Sequence, residues 1–409
     1  MRVQCGKLAR MKIMLAAALA VFATVSQAET PTPPPPVEHG CVQAATWYAL
    51  SEAGPQPVAA EDILRRMSRS AVVLLGEHHD SAPHHIWQLQ TLAALQALRP
   101  HLVIGFEAFP RRVQPALDDW VAGKLTVKQF LARSEWTRVW NYPPELYLPL
   151  FEFARLNRIP MIALNVDRKL TEDVARRGWD AVPTGEKEGV SRPAQPSEAY
   201  ERTLRHVFDL HRDTGLDKRD PAVTRDQAFR FFVESQSTWD RAMAEALAAR
   251  THAAPGEDPP LVVGIMGAGH VTDGYGVPHQ LHALGVRSVA TLLPIDTHED
   301  CGTLKTGYAD AVFAIAATPE EPEPPPRLGI QLGKPHDAIE ITGVTAGSLA
   351  ERTGLRAGDR IVGIAGKPVT GMEQIVRAVR GQPPGTWLPM QIQRGGQTLE
   401  VVVHFPPSP

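Results

Sequence analysis

Cysteine is scarce, with three residues in 409, which leaves room for one disulfide at most. Long apolar runs are missing beyond the N-terminus, so no later segment reads as a membrane span. No charge sign dominates: the net charge is −3, and this balance excludes the basic footprint of a nucleic-acid-binding chain. No cysteine directly follows the apolar N-terminal stretch, so a lipoprotein acceptor site is not expected. Cys41 lies too far downstream, behind Pro33 to Pro36. The glycine-rich run Gly267-Ala268-Gly269-His270 lacks the Lys-Ser/Thr of a phosphate loop and the acidic partner of a dinucleotide site.

Proline is plentiful, at 37 residues, and it punctuates the chain. Lys7, Arg10 and Lys12 lead an apolar stretch from Ile13 to Val25, and Ser26-Gln27-Ala28 offers the small residues read by a signal peptidase. Residues 1–28 therefore read as a cleaved leader, with Met1 or Met11 as its start, and the mature protein as periplasmic or secreted. Residues 29–59 follow as a Pro-rich N-terminal arm. Residues 60–316 alternate apolar strands with amphipathic helices, the pattern of an α/β domain with a mostly parallel sheet. The expected strands are Ala71–Leu75, Leu102–Gly105, Met161–Asn165, Leu261–Ile265 and Val289–Leu293, and the expected helices include Ile86–Leu98, Glu145–Leu156 and Phe229–Ala249. Asp180 to Asp226 is a polar, partly helical excursion with the character of a lid. An acidic Pro/Glu linker at 317–326 should be extended and stiff. Residues 327–405 form a smaller, mostly β domain with one good helix, Met372 to Val379. Without the leader two cysteines remain. Cys41 and Cys301 either form a disulfide, tying the arm to the late part of the α/β domain, or stay free thiols.

The chemistry concentrates where the strands end. Gly76-Glu77-His78-His79-Asp80 follows one apolar strand, and Gly267-Ala268-Gly269-His270 follows another. Two G-x-x-H segments thus occupy matching strand-to-loop junctions, the place where open α/β sheets collect ligands. Glutamate and histidine together serve either as divalent-metal ligands or as a general acid/base pair. His78 and His79 are adjacent and point to opposite sides in an extended segment, so one faces the crevice. His84 and His85 open a helix, where surface or helix-start packing is the expected role. Glu107, after Ile104-Gly105-Phe106, is a base, a metal ligand, or the partner of Arg111 or Arg112. Asn165 and Arg168 sit at a further strand end, where Arg168 suits an anionic group and Asp167 a helix cap. His78, Asp80, Asn165 and Arg168 complete the expected crevice.

VVLLGEHHD (72–80), VIGFEAFPR (103–111), ALNVDR (163–168), FVESQSTWDRAMAEAL (232–247) and GIMGAGHV (264–271) occur in order, and through them residues 60–300 resemble the ChaN-like haem-binding family of the Tiki/TraB/erythromycin-esterase-like superfamily. The resemblance implies an α/β scaffold, haem as cofactor, a role in iron acquisition, and haem sometimes shared within a homodimer. Other branches of the superfamily imply hydrolysis, which by position falls on Glu77, His79, Glu107 and His270.

Leu328-Gly329-Ile330, Val344 to Ala350, and Gly354-Leu355-Arg356-Ala357-Gly358-Asp359-Arg360-Ile361 resemble a bacterial PDZ domain covering 327–405. The resemblance implies that Gly329 presents backbone N–H groups to a carboxylate, while a peptide or protein segment adds as a strand beside Ile330. Leu328, Ile330, Ile375 and Val379 are the expected apolar pocket.

Two functions are open at this point. One is haem or iron-complex binding, with an axial ligand among Tyr142, Tyr147, Tyr200, His206 and His211 and walls drawn from Trp87, Phe106, Phe109, Trp136, Trp140 and Trp239. The other is metal-assisted hydrolysis of a peptide or ester bond, with His79 and His270 as divalent-metal ligands or acid/base groups, and Glu77 and Glu107 as catalytic carboxylates.

Overall fold

The computed structural model describes residues 40–210, 223–253, 256–316, 326–333, 338–383 and 385–406. The leader, the Pro33–Pro36 tether, His211 and all but the last residue of the 317–326 linker lie outside them. The chain divides into two compact units, 1–316 and 317–409.

The first unit is built on an eight-stranded sheet. Its strands are β1 (Thr46–Ser51), β2 (Gly54–Val58), β3 (Val72–Glu77), β4 (Leu102–Pro110), β5 (Met161–Asn165), β6 (Leu261–Gly267), β7 (Val289–Asp296) and β8 (Ala311–Ile315), in the spatial order β2-β1-β8-β7-β3-β6-β4-β5. From β8 to β5 every pairing is parallel. β3, β4 and β6 are buried along their whole lengths, as expected of parallel strands covered on both faces. Alternate residues feed two separate cores. Val73, Leu75, Ile104, Phe106, Val263 and Ile265 join an aromatic-rich cluster with Trp87, Trp120 and Phe151. Val72, Leu74, Val262 and Met266 pack with Met243, Leu247 and Leu281.

The five expected strands all form, and four of them run on at their carboxyl ends. Three helices begin earlier than their apolar stripes. Pro83 sits in the first turn of Ala82–Leu98, Pro144 opens Pro144–Leu156, and Thr224 caps Arg225–Ala248 in a reciprocal box with Gln227.

Two expectations are corrected. Residues 46–58 of the supposed arm are the β1–β2 hairpin, which joins the sheet through antiparallel pairing of β1 with β8. Pro55 and Pro57 masked β2, and they are tolerated because β2 is an edge strand. The excursion after Asp180 is a strap rather than a lid over residues 179–200. Trp179 N–H donates to Glu234, Ser191 donates to Glu245, and Ala194 exchanges two hydrogen bonds with Gln280.

The second unit is an antiparallel sheet of β9 (Ile330–Gly333), β10 (Glu340–Val344), β11 (Arg360–Ile364), β12 (Lys367–Pro368), β13 (Trp387–Arg394) and β14 (Gln397–His404). Its order is β14-β13-β11-β10-β9, with β12 beside β11. The Met372–Arg380 helix buries Ile375 and Val379. Asp359 is buried under a two-pronged bond from Arg394, which locks the turn at Gly358. β9 is an edge strand. Gly329 has φ +78°, and a Cβ there would lie 2.3 Å from the Ser348 side chain, so this position requires glycine. Of the expected pocket, Leu328, Ile375 and Val379 are core residues, each under a tenth exposed, and Ile330 alone is half-buried.

Candidate functional site

Strand register assembles the site. Glu77 ends β3 level with Gly267 of the neighbouring β6, and Phe106 of β4 is level with Ile265 on the other side of β6. Glu77, Glu107 and the Gly267–His270 turn therefore meet at the carboxyl ends of three adjacent strands. Gly267 is a close-approach position. A Cβ there would lie 2.9 Å from His79 Cε1 and 3.7 Å from Glu107 Oε2, so a side chain would drive into the His79 ring.

Glu77 and His79 form the first pair. Glu77 is 2% exposed. Its Oε1 lies 2.6 Å from His79 Nδ1 and accepts the Tyr147 hydroxyl at 3.0 Å. Its Oε2 is buried without a hydrogen bond, 3.8 Å from His85 Nε2. The His79 ring stands edge-on to Trp140 and Tyr142, with centroids 4.6 and 5.3 Å away. Burial opposes charge on His79. The hydrogen bond to Glu77 and the fields of Glu107 and Glu77 outweigh burial and the repulsion of His270, and hold its pKa above the ordinary imidazole value.

His270 belongs to the second group. Its Nδ1 lies 2.6 Å from Asp240 Oδ1, and its Nε2 lies 3.4 Å from Glu107 Oε1. Glu107 is 1% exposed, and its Oε2 accepts the Gly267 N–H at 2.7 Å. Asp240 Oδ2 accepts the Tyr200 hydroxyl at 3.0 Å, and Trp239 lies edge-on to the His270 ring. Burial opposes charge here too, but Glu107 and Asp240 push His270 up to about 10. Glu107 is held below the usual carboxylate range: burial works against this, and His270, His79 and the Gly267 N–H outweigh it.

The remaining expected residues divide. His78 and Asp80 are exposed, as alternation along an extended segment requires once His79 faces inward. His84 and His85 are buried packing residues. His84 accepts the His78 N–H, and burial with two neighbouring histidines lowers it to about 4. Asn165 is a brace, donating to the Glu107 carbonyl. Arg168 is not in the crevice: its side chain is 89% exposed and paired with Glu172. Asp167 caps nothing with its side chain and binds Arg112 instead. Arg111 is spent on Glu188 and Ala242 carbonyls, so neither arginine neutralises Glu107. Cys41 and Cys301 are bonded, with Cα atoms 5.8 Å apart.

Sequence reasoning missed Asp240 as a partner of His270. The available signal was an acid on an apolar helical stripe, since Asp240 shares a face with Met243, Ala244 and Leu247. Tyr147 and Tyr200 are two of the five axial-ligand candidates. Both are buried and committed to carboxylates, and burial followed by those carboxylates raises both phenols. His206 is exposed.

Among the described residues no three His, Cys, Asp or Glu groups are placed to hold a metal ion. The Nδ1 atoms of His79 and His270 are each occupied by a carboxylate. The expected divalent-metal centre therefore does not fit. No described helix is long and apolar enough to cross a membrane.

A PDZ-domain model matches residues 340–394. The regulator of sigma-E protease RseP of Salmonella typhimurium is 36% identical over 88 residues, 22% of this chain and 19% of that protein. A probable CtpA-like serine protease of Staphylococcus aureus is 33% identical over 78 residues, 19% of this chain and 16% of that protein. The chain thus spans less than a fifth of the length of these relatives. Among solved structures, ChaN of Campylobacter jejuni, described with cofacial haem, aligns at 17% identity and a TM-score of 0.48, covering 65% of this chain and 96% of that one. The model of the family described as haem-binding uptake, Tiki superfamily, ChaN matches residues 63–281, more than half of the chain, and the chain belongs to that family.

Proposed function

We propose that this protein binds haem through its α/β domain and handles haem or iron in the periplasm, with its PDZ domain recruiting a peptide or protein partner. Family membership across residues 63–281 carries the reading. The crevice supports it with an aromatic wall and a free phenol. Trp140 and Tyr142 flank His79, the Trp140 indole N–H is buried without a partner, and the Tyr142 hydroxyl has no hydrogen-bond partner among the described residues. Among the described residues Tyr142 is the axial-ligand candidate at the crevice whose hydroxyl is not given to a carboxylate, as those of Tyr147 and Tyr200 are. Burial and the fields of Asp80, Glu77 and Glu107 raise the Tyr142 phenol; ferric iron, for which a phenolate oxygen is a suitable ligand, would offset this, so Tyr142 would hold the metal and Trp140 would supply apolar wall. The bound group would supply the iron that the protein carries. The Cys41–Cys301 bond and the leader-like N-terminus support an oxidising compartment.

Hemin titration of the purified protein tests this. A saturable Soret shift at about one haem per chain, or one per two chains for a shared site, is expected. Tyr142→Phe should weaken binding roughly tenfold or more and remove the phenolate-to-iron charge-transfer bands. A featureless, non-saturating response sinks the haem reading.

A second reading, hydrolysis of a peptide or ester bond, is favoured by the Glu77–His79 pair, in which Glu77 orients the ring and leaves Nε2 without a hydrogen bond among the described residues. It proceeds without a divalent metal, for which no group of three ligands is placed among the described residues.

The PDZ proposal is separately testable. A peptide with a free C-terminal valine carboxylate should bind the full chain, and its C-terminal amide should bind roughly tenfold more weakly. Gly329→Val, which places side-chain carbons into Ser348, should abolish binding; equal affinities for acid and amide would refute carboxylate capture.

A further inference from the structure

The two G-x-x-H segments look equivalent in sequence, but their histidines are not held alike. His79 has one ring nitrogen against a carboxylate. His270 has both: Nδ1 on Asp240 at 2.6 Å and Nε2 facing Glu107 at 3.4 Å. A carboxylate oxygen only accepts, so the Asp240 bond needs a proton on Nδ1; Glu107 Oε1 is buried with no hydrogen bond of its own, and at 3.4 Å a protonated Nε2 is the one favourable charge to face it. Asp240 is itself braced: it is 1% exposed, and its other oxygen takes the hydroxyl of Tyr200. Tyr200 closes the strap that Gln280, Glu245 and Glu234 fasten down. Trp239 presents an edge to the ring, and the charge of His79 opposes that of His270.

We infer that Asp240 is the positioning residue of this crevice: braced by Tyr200, it fixes His270 as a doubly protonated ring beneath Glu107. His270 then serves as a permanent counter-ion rather than as an iron ligand or a base. The chain of interactions runs from the strap to the strand ends, Tyr200 to Asp240 to His270 to Glu107 to the Gly267 N–H. It sets the charge and the orientation of Glu107 whichever ligand the crevice takes. The inference goes beyond the haem reading and does not depend on it.

Nitrogen-15 NMR of the histidine rings in the full, ligand-free chain at pH 7.5 tests it without any haem. The wild-type His270 ring should show two nitrogen-bound protons. Asp240→Asn, which leaves Glu107 in place, should lower the pH at which the ring gives up its second proton by about one unit or more, read from the nitrogen shifts across a pH series. Tyr200→Phe should keep both protons but speed exchange of the Nδ1 proton roughly tenfold. A neutral His270 in the wild type overturns the inference, as does an Asp240→Asn ring that titrates where the wild-type ring does. Should Asp240→Asn fail to fold, Tyr200→Phe decides, because an unchanged exchange rate removes the brace on which the inference rests.

Discussion

Replacing Cys41 and Cys301 by serine lowers the stability of the α/β unit by about 3–5 kcal/mol. The bond joins positions separated by 260 residues, and cross-linking so long a loop removes more chain entropy from the unfolded state than a short staple does. In the folded state the effect is local. The first described residues lie on the segment after β7, where a Cβ on Gly40 would sit 2.3 Å from the Thr297 carbonyl oxygen. Next along the chain, β1 is held to β8 by the short register Thr46–Ala314, Trp47–Phe313 and Tyr48–Val312. Without the bond this hairpin should fray first, so amide exchange at 45–58 should rise before the parallel core opens. Denaturant unfolding of wild type, with and without reductant, and of the double serine variant checks the magnitude. Equal midpoints in all three would show that the bond adds nothing.

What could be read in the chain, and what could not, follows the range of the forces involved. The parallel strands were legible because a strand buried on both faces must be continuously apolar, as Val72–Leu75 and Leu261–Ile265 are. The inward turn of one histidine of His78–His79 followed from alternation, and Glu77, Glu107 and His270 from their place at strand ends. β2 was hidden because its prolines argue against a strand unless it is known to be an edge, and edge position is a property of the assembled sheet. Asp240 was hidden because its partner lies 30 residues away. Arg168 misled because a cation after a strand suits an anion equally well in a crevice or, as here, four residues along its own helix. In the PDZ unit Leu328, Ile375 and Val379 were legible as inward-facing apolar positions, and they lie in that unit's core.

Glu107→Ala should cost about 3–5 kcal/mol, the range for breaking a buried ion pair by removing one partner. The cost has two parts. The Gly267 N–H loses its acceptor in a buried position, and His270 keeps only Asp240 to balance its charge. Glu107→Gln retains an oxygen for Gly267 and should cost less, about 1–3 kcal/mol. The same pair makes stability depend on pH with a definite sign. His270 is raised in the folded state from 6.5 to about 10, so between those values the folded chain binds the proton that the unfolded chain releases. The stabilisation is complete below pH 6.5 and is lost as pH climbs through 10, by an amount on the order of 3–5 kcal/mol across the window. The lowered Glu107 expresses the same ion pair from the acid side, where its share is lost as pH falls below the usual carboxylate range, and the two are not added. Urea unfolding at pH 7 and 9.5 should therefore show a steeper loss in wild type than in Glu107→Gln, whose His270 titrates closer to its unfolded value. Parallel losses would mean that Glu107 does not hold the proton on His270.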